Sequence, residues 1–214
     1  MMSEEEEQRI EAFSDGVFAI AITLLILEIR LPPGEKFPTN IALLSAIGAL
    51  WPSFLAFILS FVVVLMIWIN HRELFRLVRG VDHKLMWANG SLLLMVVFVP
   101  FPTAVLAQYF TTEAANTAVA LYCGTLFLTS VCHNLLFESV AYKSRLLKSD
   151  VGAGLVSKLR KSYRLGLAIY AVATLVAMWS AIAGLVLATS LWLLWIPVHL
   201  RKTGLEKMAG HTGK

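Results

Sequence analysis

The chain has 214 residues, of which 58% are hydrophobic and 15% are charged, and its formal net charge is +4. Soluble domains contain about 45–50% apolar and about 25% charged residues, so the composition excludes an ordinary soluble domain and predicts an integral membrane protein. The apolar runs approach the roughly 20 residues of a transmembrane helix, not the short alternating segments of a membrane β-barrel. The basic residues lie between these runs and do not indicate nucleic-acid binding.

Six transmembrane helices are predicted, in one domain over residues 1–214. The first covers about 10–31 and stops at Pro32-Pro33-Gly34. Glutamates at positions 4–7 replace the basic segment of a signal peptide, so this span is expected to stay in the mature protein. The others are expected at about 41–70 with a kink at Pro52, 85–109 with bends at Pro100 and Pro102, 117–141, and two that share 165–200 and divide near Ala183-Gly184. The polar segment 142–164 is expected to be a loop or a surface helix.

Lysines and arginines lie mainly on one side of the predicted bundle. The connection between spans two and three, the connection between spans four and five, and the C-terminal tail are basic, whereas the opposite side carries Arg30 and Lys36. By the positive-inside rule the basic side is cytoplasmic. Both termini are then cytoplasmic, which requires an even number of spans.

The sequence lacks the motifs of the common enzyme classes. It has no H-E-x-x-H, no G-x-S-x-G, no P-loop and no C-x-x-C, and its five histidines show no ligand spacing. We therefore expect no enzyme, no metal site and no organic cofactor. Cys123 and Cys132 are too far apart on one helix for a disulfide and are expected to be buried. His133, near Asn134 and Glu138, fits a buried polar site or, as we favour, hydrogen bonds between helices.

The first span has two faces of different chemistry. On an ideal helix one line collects five apolar side chains within about 40°, with Thr23 on its flank: Phe13, Ile20, Leu24, Leu27 and Leu31. From periodicity alone, this stripe fits a lipid-facing surface, a packed face or a pore lining. Ser14 and Asp15 point more than about 100° away from it.

Asp15 is expected to face neighbouring helices, because an ionised carboxylate inside a membrane needs partners. Candidate partners at the same level belong to three spans: Arg9, Asn70, His71, His83 and Asn89.

Three short motifs carry a resemblance to a known family. Arg9-x-x-x-Phe13-Ser14-Asp15 opens the first span, Trp68-Ile-Asn-His71-Arg-x-x-Phe75 ends the second, and Trp87-Ala-Asn89 opens the third. Together with the apolar run after Asp15 and the predicted topology, they resemble the transmembrane protein 175 family, which comprises lysosomal potassium channels and their bacterial and archaeal homologues. The resemblance covers about the whole chain.

The resemblance implies a quaternary structure and a location. Animal members carry two six-helix repeats and work as dimers, whereas this chain carries one repeat and resembles the prokaryotic form. It implies a homotetramer in the inner membrane of a prokaryote, in contact with membrane lipid, with the first helix of each subunit lining a central pore for potassium ions.

The resemblance also assigns site residues. It implies a hydrophobic constriction at Ile20, Leu24 and Leu27, and a contribution to potassium preference from Thr23. It implies a polar network that holds the first helix in place, made of Arg9, Phe13, Ser14, Asp15, Trp68, His71 and Asn89. Whether His71 or His83 pairs with Asp15 stays open.

The leading expectation is therefore a potassium-permeable channel with modest selectivity over sodium. One alternative is a small proton-coupled transporter that uses Asp15 and His71, and another is a structural membrane protein without transport. Glu28 is a candidate for concentrating cations at the outer mouth, although an interfacial role as partner of Arg30 or Lys36 is favoured.

Overall fold

The structure, a computed structural model, describes residues 4–32, 36–142 and 146–190. This part of the chain folds into eight helices: α1 (Glu4–Leu24), α2 (Asn40–Ala49), α3 (Trp51–Phe75), α4 (His83–Phe98), α5 (Pro100–Tyr109), α6 (Ala115–Ala141), α7 (Ala153–Ala177) and α8 (Ala181–Ser190). A 3₁₀ turn, Leu25–Glu28, continues α1. Within the described residues, four stretches are long and apolar enough to cross a membrane: Gln8–Glu28, Trp51–Phe75, His83–Tyr109 and Ala115–Ala141. The protein is thus an all-α, multi-pass membrane protein.

The predicted second span, residues 41–70, is wrong as one kinked helix, because it is divided into α2 and α3 at Leu50. Pro52 lies in the first turn of α3. Proline is favourable there, since its missing N–H would have no partner within the helix anyway. The proline therefore starts a helix instead of kinking one.

The predicted bend in the third span lies where α4 meets α5, at Val99. The Thr103 hydroxyl donates to the Val99 carbonyl (2.8 Å) and is 2.7 Å from the Ser60 hydroxyl, which in turn lies 3.2 Å from the Tyr122 hydroxyl. All three hydroxyl side chains are buried. They join α3, α5 and α6 through hydrogen bonds where water is excluded.

The last predicted boundaries also need correction. Residues 142–164 are not a separate loop or surface helix, because α7 begins at Ala153 and runs without a break to Ala177. The turn to α8 falls at residues 178–180, a few residues before the predicted division at Ala183-Gly184. Gly184 instead lies in the first turn of α8, where a Cβ atom would be 2.5 Å from the Ala177 Cβ. Residues 191–200 of the predicted sixth span lie outside the described residues.

Two loops meet at one end of the bundle. The Arg79 N–H donates to the Leu146 carbonyl (2.9 Å), and the Lys148 N–H donates to the Leu77 carbonyl (3.0 Å), around an isolated bridge between Val78 and Leu147. We call this the basic end, because it carries the arginines and lysines of the 76–84 and 146–164 segments. The end of α3 and the starts of α4 and α7 adjoin these loops.

Candidate functional site

One buried chain of hydrogen bonds joins α1 to α3 and α4 near the basic end. The Ser14 hydroxyl donates to the Ile10 carbonyl of its own helix (2.8 Å), and the Asn89 amide nitrogen donates to the Ser14 oxygen (3.0 Å). His71 Nε2 lies 2.8 Å from the Asn89 amide oxygen. Ser14 and His71 are fully buried, and Asn89 is almost so.

The direction of each bond follows from the chemistry of the groups. Ser14 has one hydroxyl hydrogen, which goes to Ile10, so Asn89 must donate to Ser14 through its nitrogen. The Asn89 oxygen then faces His71 and can accept but not donate, so His71 carries its hydrogen on Nε2. His71 Nδ1 is buried and has no hydrogen-bond partner in the described structure.

Asp15 is held by an aromatic residue. The Trp68 Nε1–H donates to the Asp15 carboxylate at 2.7 Å, in a partly buried position. The Arg72 guanidinium lies over the Trp68 ring, 5.7 Å from its centre. The Asp15 carboxylate, in the middle of α1, is therefore bound to α3 next to a positive charge.

This answers the question of which histidine bonds to Asp15: its hydrogen-bond partner is Trp68, whereas His71 bonds to Asn89. His71 instead stacks on Phe75 (ring centres 4.4 Å apart) and contacts Phe18 (5.4 Å). The Asp15–His71 pair of the transporter alternative is therefore not joined by a direct bond.

Two residues predicted for the same network lie outside it. Arg9 and Phe13 are exposed in this chain, and Phe13 lies on the apolar stripe of α1. Within the residues described, the structure brings together Ser14, His71 and Asn89 in one group and Asp15 with Trp68 in another. Both groups fasten the same face of α1 to α3 and α4.

The opposite face of α1 is uncovered. Ile20, Leu24 and Leu27 are 60%, 40% and 49% exposed. On the packed face, Phe18, Ala21 and Leu25 are at most 1% exposed. The helix therefore separates into one fully packed side and one free apolar side.

The 3₁₀ turn aligns Leu27 more closely with Leu24 on this free side. In an α-helix Leu27 would lie about 60° from Leu24, but in a 3₁₀-helix residues three apart eclipse one another. At about 1.5 Å per residue in the α-helix and about 2.0 Å in the 3₁₀ turn, the three side chains of Ile20, Leu24 and Leu27 are spaced about 6 Å apart along the axis. They form a continuous apolar line about 12 Å long.

Polar groups flank this line. Thr23 is exposed and its hydroxyl donates to the Ile20 carbonyl (2.9 Å), which leaves the lone pairs of its oxygen free. Glu28 ends the 3₁₀ turn and is half-buried, while the Arg30 guanidinium donates to the Leu27 carbonyl.

His133, Asn134 and Glu138, which the sequence placed together on α6, do not share one set of contacts in the structure. The Asn134 amide donates to the Tyr163 carbonyl of α7 (3.2 Å), which is the expected bond between helices. Glu138 binds Arg160 through two bonds of 2.7 and 2.9 Å. His133, in contrast, has a buried Nε2 atom without a partner among the described residues.

Sequence reasoning missed that Trp68, which it had placed in the network, is the donor to Asp15. The available signal was the i, i+3 spacing of Trp68 and His71, which puts both side chains on one face of α3. A pattern of this kind identifies the face but cannot decide which of two side chains reaches a given carboxylate.

These features define a class: an all-α, multi-pass membrane protein whose first helix is fixed by buried polar bonds on one side and presents an apolar line on the other. Comparisons with known proteins agree with that class and identify a family within it. Residues 9–100 match the sequence model of a family described as "Endosomal/lysosomal potassium channel TMEM175".

Individual relatives are similar over most of the chain. A potassium channel of Chamaesiphon minutus is 45% identical over 170 residues, which is 79% of this chain and 83% of the relative. The crystal structure of a "lysosomal potassium-selective channel TMEM175 homolog" from that organism superposes with a TM-score of 0.76 at 40% identity, over 89% of this chain and 98% of that one. The human "Endosomal/lysosomal proton channel TMEM175" is 35% identical over 133 residues, 58% of this chain and 26% of the human protein.

The chain belongs to the TMEM175 family of ion channels. The family resemblance predicted from the sequence motifs is thereby confirmed, as is the prediction of a potassium-channel homologue. The family is one of channels and not of enzymes, which agrees with the expectation that the protein is not an enzyme.

Proposed function

We propose that this protein is a potassium-permeable cation channel formed by four copies of the chain, with the α1 helices around a central pore. The constriction is made by fourfold rings of Ile20, Leu24 and Leu27. The permeant ion is potassium, with modest preference over sodium, and no organic cofactor or metal takes part.

The observation that carries this proposal is the division of α1 into two faces. The hydrogen bonds that join α1 to other helices, and the fully buried apolar side chains of α1, lie on the side towards α3 and α4. The free line from Ile20 to Leu27 continues for about 12 Å without a charged group. A helix fixed in this way on one side is suited to face symmetry-related copies of itself around an axis.

The chemistry of the free side supports a hydrophobic constriction. Isoleucine and leucine offer no ligand to a cation, so an ion passing their rings must keep its own hydration shell. A narrow apolar ring resists ions because squeezing or stripping that shell costs free energy, and it closes by dewetting. Ions with weaker hydration pass such a ring more easily, which favours potassium over sodium.

Thr23 is proposed to add to this preference. Its hydroxyl hydrogen is used by the Ile20 carbonyl, so the oxygen presents lone pairs. Four such oxygens near the constriction offer partial negative charge to a cation. Glu28, at the far end of the line, is proposed to attract cations to the mouth.

The proposal also covers the fifth and sixth spans and the orientation of the protein in the membrane. Helix α7 is 25 residues long and its second half is apolar, and we propose that α7 and α8 supply the fifth and sixth spans. The basic end is proposed to be cytoplasmic, with both termini on that side of a prokaryotic inner membrane.

Potassium flux in liposomes tests the proposal. Purified protein is reconstituted with a potassium gradient, and the flux is compared for wild type, Ile20→Ser and Leu27→Ser. We expect flux from wild type and a several-fold increase from each variant, because a hydroxyl wets the ring. Leu94→Ser, which changes a leucine on α4 that is at least as exposed, is the matched control and should leave the flux unchanged. An absence of flux from wild type refutes the channel, and wild-type flux in both α1 variants refutes the constriction.

Proton permeation is a second candidate, favoured by the name of the human relative, which is called a proton channel. The same liposomes loaded with a pH-sensitive dye measure it. A proton flux that persists without potassium on either side supports it, and a pH change that follows only the potassium gradient opposes it.

A further inference from the structure

A cleft of about 90 Å³ lies between α3, α6 and α7. Its floor is one face of α6, where Leu126, Thr129 and His133 follow at helical spacing and are buried. No described residue of α1 lines it. The cleft is therefore separate from the proposed pore.

The lining changes character along the helices. Val63 and Leu126, near the middle of α3 and α6, are apolar, whereas Asn70 and Asn134 lie about two turns nearer the basic end. The described lining contains no charged side chain. The cleft thus suits a neutral molecule with a hydrocarbon body and a polar end.

A polar atom without a partner marks the floor. His133 is 7% exposed, its ring contacts Tyr163 edge to face (4.7 Å between centres), and its Nε2 atom has no hydrogen-bond partner in the described structure. Buried polar atoms are nearly always hydrogen-bonded, and an unpartnered one points to an unseen partner. A neutral imidazole has one donor and one acceptor nitrogen, and a hydroxyl group serves either one.

The volume of the cleft limits which molecules can occupy it. One water needs roughly 10–15 Å³ of such a cavity, so the cleft of about 90 Å³ has room for about six to nine waters or for a molecule of similar size. Waters alone need several polar partners each, and the half of the cleft near Val63 and Leu126 is mainly apolar, with Thr129 and Tyr170 as its polar residues. A six-carbon ring or chain with one hydroxyl matches both the volume and the polarity.

We propose that this cleft is a binding site for small neutral alcohols and phenols, whose hydroxyl hydrogen-bonds to His133 and whose hydrocarbon body packs against Val63 and Leu126. Helix α3 contacts both the cleft and the buried polar bonds of α1: Asn70 lines the cleft, and the next residue, His71, bonds to Asn89. Occupancy of the site does not depend on ion conduction and is measured without it.

Gly166 provides the sharpest test, because it lines the cleft and a Cβ added there meets nothing within 4 Å. The side chain of Gly166→Leu therefore starts in open space and should fill the cleft. Gly154→Leu is the matched control: this glycine is on the same helix, also has open space around it, and does not line the cleft.

The probe is 4-fluorophenol, observed by fluorine NMR with the protein in vesicles and with protein-free vesicles of the same lipid as reference. We expect saturable binding to wild type and to Gly154→Leu, and binding at least about ten-fold weaker to Gly166→Leu. The proposal is overturned if Gly166→Leu binds 4-fluorophenol as tightly as wild type. It is also overturned if the signal of wild type does not exceed partition of the probe into protein-free vesicles.

His133→Phe tests the hydrogen bond separately from the apolar contact. It also replaces Gly166→Leu as the test variant if Gly166→Leu does not elute like wild type in size-exclusion chromatography. It should lose most of its affinity for 4-fluorophenol while its affinity for fluorobenzene stays the same or rises. Equal loss for both probes, or loss for neither, contradicts the role given to the His133 ring.

Discussion

Asn89→Leu tests how strongly the buried polar bonds hold α1. Leucine has the same number and branching of side-chain heavy atoms as asparagine, and Asn89 is 4% exposed, so the change removes two hydrogen bonds without leaving a large cavity. Ser14 keeps its bond to the Ile10 carbonyl. His71 loses the acceptor of its Nε2–H and is then buried with neither ring nitrogen paired.

The magnitude follows from these groups. Hydrogen bonds between helices in a membrane protein contribute about 0.6 kcal/mol each on average, which gives about 1.2 kcal/mol for two. A buried donor left without a partner costs a further ~1–3 kcal/mol in water-soluble proteins, and less where a membrane-embedded unfolded state is the reference. We expect the free energy of unfolding to fall by about 2 kcal/mol.

The assay is reversible unfolding in mixed micelles at fixed protein concentration, followed by tryptophan fluorescence. Ser91→Ala is the control, since Ser91 is on the same helix, is exposed and bonds to its own Trp87 carbonyl. It should stay within about 0.5 kcal/mol of wild type. A double-mutant cycle with Ser14→Ala should show less than the summed loss. If Asn89→Leu matches wild type, or the two changes add fully, the polar bonds do not hold α1 as described.

Two further predictions concern other contacts of the bundle. Trp68→Phe removes the donor to the Asp15 carboxylate, so the same unfolding assay should show a loss of roughly 1–2 kcal/mol, and an unchanged stability would contradict a tight bond there. Gly184→Ala places a Cβ 2.5 Å from that of Ala177 and should destabilise the protein by about 1–3 kcal/mol, whereas Gly48→Ala, with open space around it, should stabilise it by up to ~1 kcal/mol. Equal effects of the two alanines would argue against the close approach of α7 and α8.

Helical periodicity predicted the two faces of α1 because a regular helix fixes the direction of each side chain. The stripe through Ile20 and Leu24 and the opposite position of Ser14 needed no tertiary information. The 3₁₀ turn, which sets Leu27 directly in line with Leu24, did need it, because this turn has no clear signature in the apolar run 24–27.

The boundaries were harder to predict, since they depend on local hydrogen bonds and packing. Pro52 fits both a kink inside a helix and the first turn of a new one, and the division at Leu50 decided between them. Gly184 suggested a turn, yet it serves the close packing of α8 on α7 just after the turn. The partner of Asp15 depends on which side chain reaches it across two helices, which sequence spacing cannot give.

The central claim is that the free face of α1 lines the ion pathway. Silver ions test it most directly, because Ag⁺ is similar in size to potassium and reacts with thiols. Cys123 and Cys132 are first replaced by alanine, and Ile20→Cys is compared with Ala21→Cys, the adjacent position on the packed face. Potassium flux through Ile20→Cys should be blocked by Ag⁺, while flux through Ala21→Cys and the cysteine-free protein should persist. Flux through Ile20→Cys that Ag⁺ leaves unchanged would contradict a pore lined by this face.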